Sequence, residues 1–269
     1  MSERVFILGL GCQKCGTSWL HSYLRQAPNF DGGFRKEYHI WDAIDTQGQR
    51  HLYLSWFKGF LGSRPDIRRF RMQRTPSYYF DFFSSLLNEK KTITADITPS
   101  YSDLSIERLV FLRDGFAKKS MVVKPIILLR NPIDRIKSAV RFNMNSGKQN
   151  VGFDTYETDF STALSQYYTS RHCILRTRYD LIISRAVEVF GAKDIYVGIY
   201  ENMFERANIE ALSSFIGIEP NFEFSNVVVN KTKGSIDCDP ELEYRIRRAY
   251  AEVYDYCYDR LPQTRQLWT

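Results

Sequence analysis

An apolar run over residues 5–10 leads directly into Gly11-Cys12-Gln13-Lys14-Cys15-Gly16-Thr17-Ser18, and that octapeptide opens a helical pattern extending to residue 26. Strand, glycine-bearing turn and helix in immediate succession leave few folds open. The first N–H groups of such a helix face outward beyond the strand's carboxyl end, where α/β proteins bind anions. Trp19, Leu20, Tyr23 and Leu24 recur at spacings of three and four, giving the helix one buried face. Gly16 permits the tight turn, and Lys14 adds a point charge inside it. A Walker A loop reads Gly-x-x-x-x-Gly-Lys-Ser/Thr; here Thr17 stands in the place of that lysine. The displaced basic residue argues against ordinary ATP hydrolysis and for another phosphate-like group. The plainer alternative is a glycine turn carrying a solvated lysine.

The rest of the chain repeats the alternation. Strands are predicted at 92–95, 122–129 and 195–200, and helices at 106–116, 175–190, 209–216 and 240–260. The segment 122–129 is nearly all apolar, as expected of a strand covered on both faces, and Asn131-Pro132 ends it and starts another helix. Alternating strands and helices predict an α/β fold, a P-loop-like central parallel β-sheet flanked by helices. With no repeat, low-complexity tract or linker, residues 1–269 read as a single domain. The segment 45–90 is aromatic-rich and irregular, and reads as a helical insertion. Its aromatics Tyr53, Trp56, Phe57, Phe60, Tyr78, Tyr79, Phe82 and Phe83 suit either an acceptor cleft or helical core packing.

Composition sets the remaining bounds. The net charge of +6 is spread along the chain, with recurrences at Arg68, Arg69, Arg71 and Arg74 and at Lys118, Lys119 and Lys124. A nucleic-acid surface would use such an excess, and so would a pocket for a multiply anionic nucleotide or an acidic acceptor. The five cysteines are odd in number and form no zinc pattern; the four histidines are scattered and form no metal cluster. No signal-peptide pattern opens the chain and no run approaches a membrane span, so a reduced, cytoplasmic protein is expected.

At this point the motifs resemble one family. Gly-x-x-Lys-x-Gly-Thr-Ser-Trp-Leu, residues 11–20, is similar to the 5′-phosphosulfate loop of sulfotransferases that use PAPS (3′-phosphoadenosine 5′-phosphosulfate). Ile126-Ile127-Leu128-Leu129-Arg130-Asn131-Pro132 with Ser138 resembles their 3′-phosphate segment. Asn230-Lys231-Thr232-Lys233-Gly234 resembles the late basic loop of the heparan-type members, and Arg35-Lys36-Glu37-Tyr38-His39 their Lys-Glu-x-His segment. The resemblance implies donor contacts from Lys14, Cys15, Gly16, Thr17, Ser18 and Trp19. It implies 3′-phosphate contacts from Arg130, Ser138, Lys233 and Gly234, with Lys14 and Glu37 catalytic. Cys15 departs from the family's usual threonine, serine or glycine, and Ile97 replaces the lysine that positions an acidic sugar.

The expected reaction moves a sulfuryl group from PAPS to an acceptor hydroxyl or amine, leaving PAP (3′-phosphoadenosine 5′-phosphate). It needs positioning and charge neutralisation, with no metal. Glu37 is expected to take the acceptor's proton, with its pKa raised by burial; a salt bridge to Lys36, Arg35 or Lys14 is the structural alternative. The partners expected are the nucleotide and an acceptor such as a glycan or a small molecule, without nucleic acid. The rival functions are a P-loop kinase for a small molecule or nucleoside, which would need a lysine after Gly16 and a magnesium-holding carboxylate, and a non-catalytic polyanion-binding protein.

Overall fold

The computed structural model describes residues 3–147, 151–156, 158–227 and 238–268. Four strands, β1 (Val5–Gly9), β2 (Ile93–Asp96), β3 (Val122–Leu129) and β4 (Tyr196–Ile199), form one parallel sheet in the order β2-β1-β3-β4. Val5 lies opposite Ile93 on one side and Val122 on the other, and Leu129 opposite Ile199. All of β1 and β2 is buried, as is β3 from Pro125 onward. This accounts for their unbroken apolar character, since helices cover both faces of a parallel sheet. The fold class agrees with expectation.

Along the chain the helices are α1 (Thr17–Leu24), α2 (Trp41–Asp45), α3 (Trp56–Leu61), α4 (Arg64–Arg74), α5 (Pro76–Ser85), α6 (Ile106–Ala117) and α7 (Pro132–Ser146). There follow α8 (Phe160–Tyr167), α9 (Arg171–Ile174), α10 (Tyr179–Phe190), α11 (Arg206–Ile216), α12 (Pro240–Ala249), α13 (Ala251–Arg260) and α14 (Thr264–Leu267). Their starts follow local chemistry. Ser63 accepts from the Asp66 N–H ahead of α4 and Ser105 from that of Arg108 ahead of α6, while Asn131 caps α7 with Pro132 at the first helical position. The segment 45–90 is helical, as expected.

Two helix boundaries differ from the sequence reading. The helix expected over 175–190 begins only at Tyr179, because Ser170 caps the separate short α9 just before it. The helix expected over 240–260 is broken at Tyr250, whose backbone leaves the helical region at φ −111°. Its two halves pack on different partners, α12 on α7 and α13 on α10, and one straight helix could not follow both.

The α5 aromatics resolve in favour of the core. Tyr79 and Phe83 are fully buried, and Phe82 is 8% exposed. Phe6 of β1 stacks on Phe116 of α6 at 3.8 Å between ring centroids and meets Phe83 edge-on at 4.9 Å. Aromatic pairs in these geometries stabilise beyond the area they bury. Phe116→Ala should therefore lower stability in urea denaturation by about 3–5 kcal/mol, the range for a large buried ring cut to alanine. A loss below about 1 kcal/mol would show that the site collapses freely or that the ring is not held in the core.

Candidate active site

The octapeptide after β1 folds back over the sheet's carboxyl edge. The Cys12 N–H donates to Leu128 O and the Leu128 N–H to Gly11 O, so the loop is tied to β3 as well as to β1. Gly16 precedes α1 at φ +95°, and a Cβ there would sit 3.0 Å from Met203 Sδ and 3.2 Å from Tyr200 Cδ2. Conformation and space both demand glycine. No side chain of Gly16 can cap α1, so the first-turn N–H groups stay available to an anion. Lys14 adopts φ +70°; with His39 and Ser120 it is one of three non-glycine residues at positive φ among the described residues, and two of the three lie at this site. Such conformations cost roughly 1–3 kcal/mol each and persist where the surroundings enforce them.

Not every residue of the loop faces outward. Cys12 and Cys15 are fully buried, and Cys15 Sγ lies 3.9 Å from the Tyr179 hydroxyl. Trp19, 3% exposed, stacks on Tyr23 at 4.9 Å and donates through Nε1 to Phe224 O. The side chains of Cys15 and Trp19 thus pack the loop against the protein, and the groups left to meet a ligand are Lys14, Gly16, Thr17 and Ser18.

The second element is the turn from β3 into α7. Tyr179 donates to Arg130 O, Glu201 accepts from the Asn131 N–H and from Trp268 Nε1, and Tyr254 donates to Asn131 Oδ1. These contacts fix the backbone on both sides of Arg130. Tyr179 and Glu201 thereby hold the turn in place. The Arg130 guanidinium lies 4.8 Å from the Tyr200 ring centroid, and its Nε is buried without a partner. Ser138, 4% exposed, sits further along α7. Lys14 Nζ stands over the Phe142 ring at 4.6 Å. Burial, followed by the nearby Arg130 charge, pulls the Lys14 pKa below that of an ordinary lysine. Neither Lys14 nor Arg130 makes an ion pair with a carboxylate among the described residues. Repelling cations gathered at a strand–helix edge suit a polyanionic ligand.

The third element is the segment ahead of α2. Lys36 Nζ donates to Thr17 Oγ1 at 3.2 Å, Ser18 Oγ at 3.1 Å and Glu37 Oε1 at 2.7 Å, so one ammonium joins the start of α1 to the candidate base. Glu37 Oε2 lies 3.3 Å from His39 Nε2, and His39 Nδ1 lies 2.7 Å from Asp42 Oδ2, which also accepts from Ser100. Burial pushes the Glu37 pKa up, but the His39 hydrogen bond and the Lys36 charge outweigh it and hold it at about 2. This reverses the expected rise: the carboxylate is surrounded by cations, not by apolar rings alone. For His39, burial favours the neutral ring, yet the hydrogen bonds to Asp42 and Glu37 raise the pKa to about 9. The salt bridge to Lys36 and a position facing the phosphate-type loop coexist in Glu37.

Sequence reasoning offered the Glu37–Lys36 pair as an alternative but missed the Lys36 contacts to Thr17 and Ser18 and the parts played by Asp42 and Ser100. Asp42 falls three residues after His39, the one signal that could have suggested a pair on adjoining turns. Lys233 and Gly234 lie outside the described residues. Among the described residues, no group of three His, Cys, Asp or Glu side chains is arranged to hold a metal ion.

The Glu37–His39–Asp42 array makes stability depend on pH. Because the folded pKa of His39 lies above its usual 6.5, its contribution is complete below pH 6.5 and disappears as pH rises through about 9. The melting temperature should fall across that window, and His39→Gln should flatten the fall while starting from a lower value. An equal slope in both proteins would show that His39 is not held as an imidazolium.

Comparison with known proteins agrees with this geometry. A family model described as a sulfotransferase domain matches residues 2–236. A sulfotransferase from Alicyclobacillus acidocaldarius superposes with a TM-score of 0.61 at 17% identity, covering 96% of each chain. The sulfotransferase domain of the Synechococcus PCC 7002 olefin synthase gives 0.50 at 15% identity, covering 93% of this chain and 94% of that one. Sulfotransferase STF9 from Mycobacterium avium gives 0.50 at 13% identity, over 94% of this chain and 76% of its own. No curated protein matches. At such identities the superpositions speak for the fold, and the family match over most of the sequence settles the wider question: the chain belongs to the sulfotransferase domain family.

Proposed function

We propose that the protein transfers the sulfuryl group of PAPS to an acceptor hydroxyl or amine, with Glu37 as the proton acceptor. The observation that carries this reading is the Lys36 bridge, which places the Glu37 carboxylate one ammonium away from Thr17 and Ser18 of the anion-binding helix. The first-turn N–H groups, Lys14 and Lys36 neutralise the 5′-phosphosulfate end. Arg130 and Ser138, with Lys233 and Gly234, hold the 3′-phosphate. In the transfer the bond from sulfur to the 5′-phosphate oxygen breaks, a bond from sulfur to the acceptor forms, and the acceptor proton passes to Glu37. Lys14 meets the charge that grows on the leaving phosphate, where a placed cation is most effective. An acceptor oxygen bonding to sulfur becomes strongly acidic, so a carboxylate of low pKa still takes its proton. An anion drawing Lys36 toward Thr17 and Ser18 also loosens its pairing with Glu37 and makes that carboxylate more basic. His39, fixed by Asp42, holds the carboxylate in place.

The kinase reading loses its magnesium ligand. Asp96, the carboxylate at the end of β2, accepts from Thr98 at 2.6 Å, Tyr101 at 2.8 Å, Tyr79 at 3.0 Å and the Tyr38 N–H at 3.3 Å. Those four bonds occupy it fully. A glycan remains one acceptor class for the site; Ile97, fully buried where the heparan-type members carry a sugar-positioning lysine, points away from an acidic sugar.

Calorimetric titration without magnesium should show PAP binding well above AMP, and Arg130→Ala should cost about 1.5–3 kcal/mol of PAP affinity, the worth of a hydrogen bond to a charged group. Equal affinity for PAP and AMP would reject the donor assignment. With saturating PAPS, Lys14→Ala should lose roughly 2.7–4 kcal/mol of transition-state stabilisation. Glu37→Gln should slow turnover about 10²–10⁴-fold while PAP binding persists. Near-normal turnover in Glu37→Gln would reject Glu37 as the base.

A further inference from the structure

The helical hairpin α3–α4 exposes what the rest of the surface covers. Among the described residues, five large apolar side chains are more than 60% exposed, and four of them belong to the six residues of α3: Trp56 63%, Phe57 71%, Phe60 70% and Leu61 73%. The helix is nonetheless fixed in place. Its Gly59 lies flat on Phe70 of α4, where a Cβ would come within 2.4 Å of the ring, and Trp56 meets Phe70 edge-on at 5.1 Å. The outward face is therefore held outward by packing on the other side. Single exposed apolar residues need no explanation, but a contiguous group marks an interaction surface.

The same stretch carries the chain's charge surplus. Residues 46–80 hold seven Lys and Arg against one carboxylate, Asp66, a difference equal to the net +6 of the whole chain. Arg50, Lys58, Arg64, Arg68 and Arg71 are exposed around the apolar group, and Asp66 is engaged by Arg35 and Ser63.

We propose that α3 and its basic surround dock on an anionic lipid bilayer, the apolar side chains entering the headgroup boundary and the cations meeting lipid phosphates. Aromatic and leucine side chains beside Lys and Arg are the composition of segments that lie in a membrane interface. A second copy of the chain would bring two cation-rich faces together, which repulsion opposes. The surface also adjoins the candidate active site: Arg69 and Gln73 of α4 donate to the backbone oxygens of Tyr38 and His39, which flank Glu37's network.

Cosedimentation of the full chain with vesicles tests this. Vesicles of phosphatidylcholine and phosphatidylglycerol in equal parts should bind it at least about tenfold better than phosphatidylcholine alone, since each cation near an anionic surface contributes appreciably, and added salt should weaken the binding. Tryptophan emission should shift to the blue on binding, reporting Trp56, because Trp19, Trp41 and Trp268 are already buried. The triple variant Phe57→Ser, Phe60→Ser, Leu61→Ser, which keeps the Trp56–Phe70 contact, should keep a melting temperature close to the wild type and lose the vesicle binding. Unchanged sedimentation of the triple variant, or equal binding to neutral and anionic vesicles, would overturn the proposal. So would light scattering showing a dimer that the triple variant dissociates, which would assign the face to a second copy.

Discussion

The segment that carries Glu37 and His39 hangs on one buried carboxylate. Asp96 is wholly inaccessible at the end of β2, and it gathers a threonine hydroxyl, two tyrosine hydroxyls and the Tyr38 N–H. Through these it ties the sheet to α5, to the turn Pro99–Asp103 and to the loop carrying Glu37 and His39. Burial raises its pKa to about 6, and the four hydrogen bonds oppose that rise. A buried ionisable group is costly unless its lone pairs are met, and here the partners come from three places in the chain. Removing the carboxylate would leave three buried hydroxyls without this acceptor, which is why the arrangement specifies a single geometry.

Against that fixed side stands a side where like charges crowd. Lys14 is drawn below its ordinary pKa by burial and by Arg130, and Lys36 divides itself between two hydroxyls and Glu37. The protein carries this repulsion because the sheet holds both turns rigidly, through the β1–β3 register and the contacts around Arg130 and Asn131. Preorganised charge of this kind needs no rearrangement when an anion arrives. In the proposed reading the domain thus separates its duties: a hydrogen-bonded wall faces the acceptor, and a cationic edge faces the donor.

What the sequence made legible is what local pattern controls. The β1–loop–α1 unit and the β3–Arg130–Pro132 turn were readable because an apolar run, a glycine and a proline each act within a few residues. The Glu37 environment was not. Its pKa was expected to rise by burial, yet Lys36 and His39 pull it down, and the hydroxyls that place them come from Thr17, Ser18 and, through Asp42, Ser100. Asp96 and Tyr38 are brought together from distant parts of the chain, so no window of sequence contains their contact. The break at Tyr250 was hidden for a similar reason: the apolar spacing continues across it, and only the two different packing partners show why the axis must turn. The aromatics of α3 and α5 look alike in sequence, although one group ended in the core and the other on the surface.

The parallel pairing of β1 with β3 has a kinetic consequence. Val5 meets Val122, so the central pair of the sheet closes only after most of the intervening chain has been ordered around it. Contacts of such sequence separation are entropically expensive to form early and slow the approach to the native state. Lys14 and Arg130 sit on the two turns that this pairing brings side by side. The two turns, and with them the proposed anion site, come into being with the completion of the sheet, and capture of the proposed nucleotide would serve as a late reporter that folding has finished.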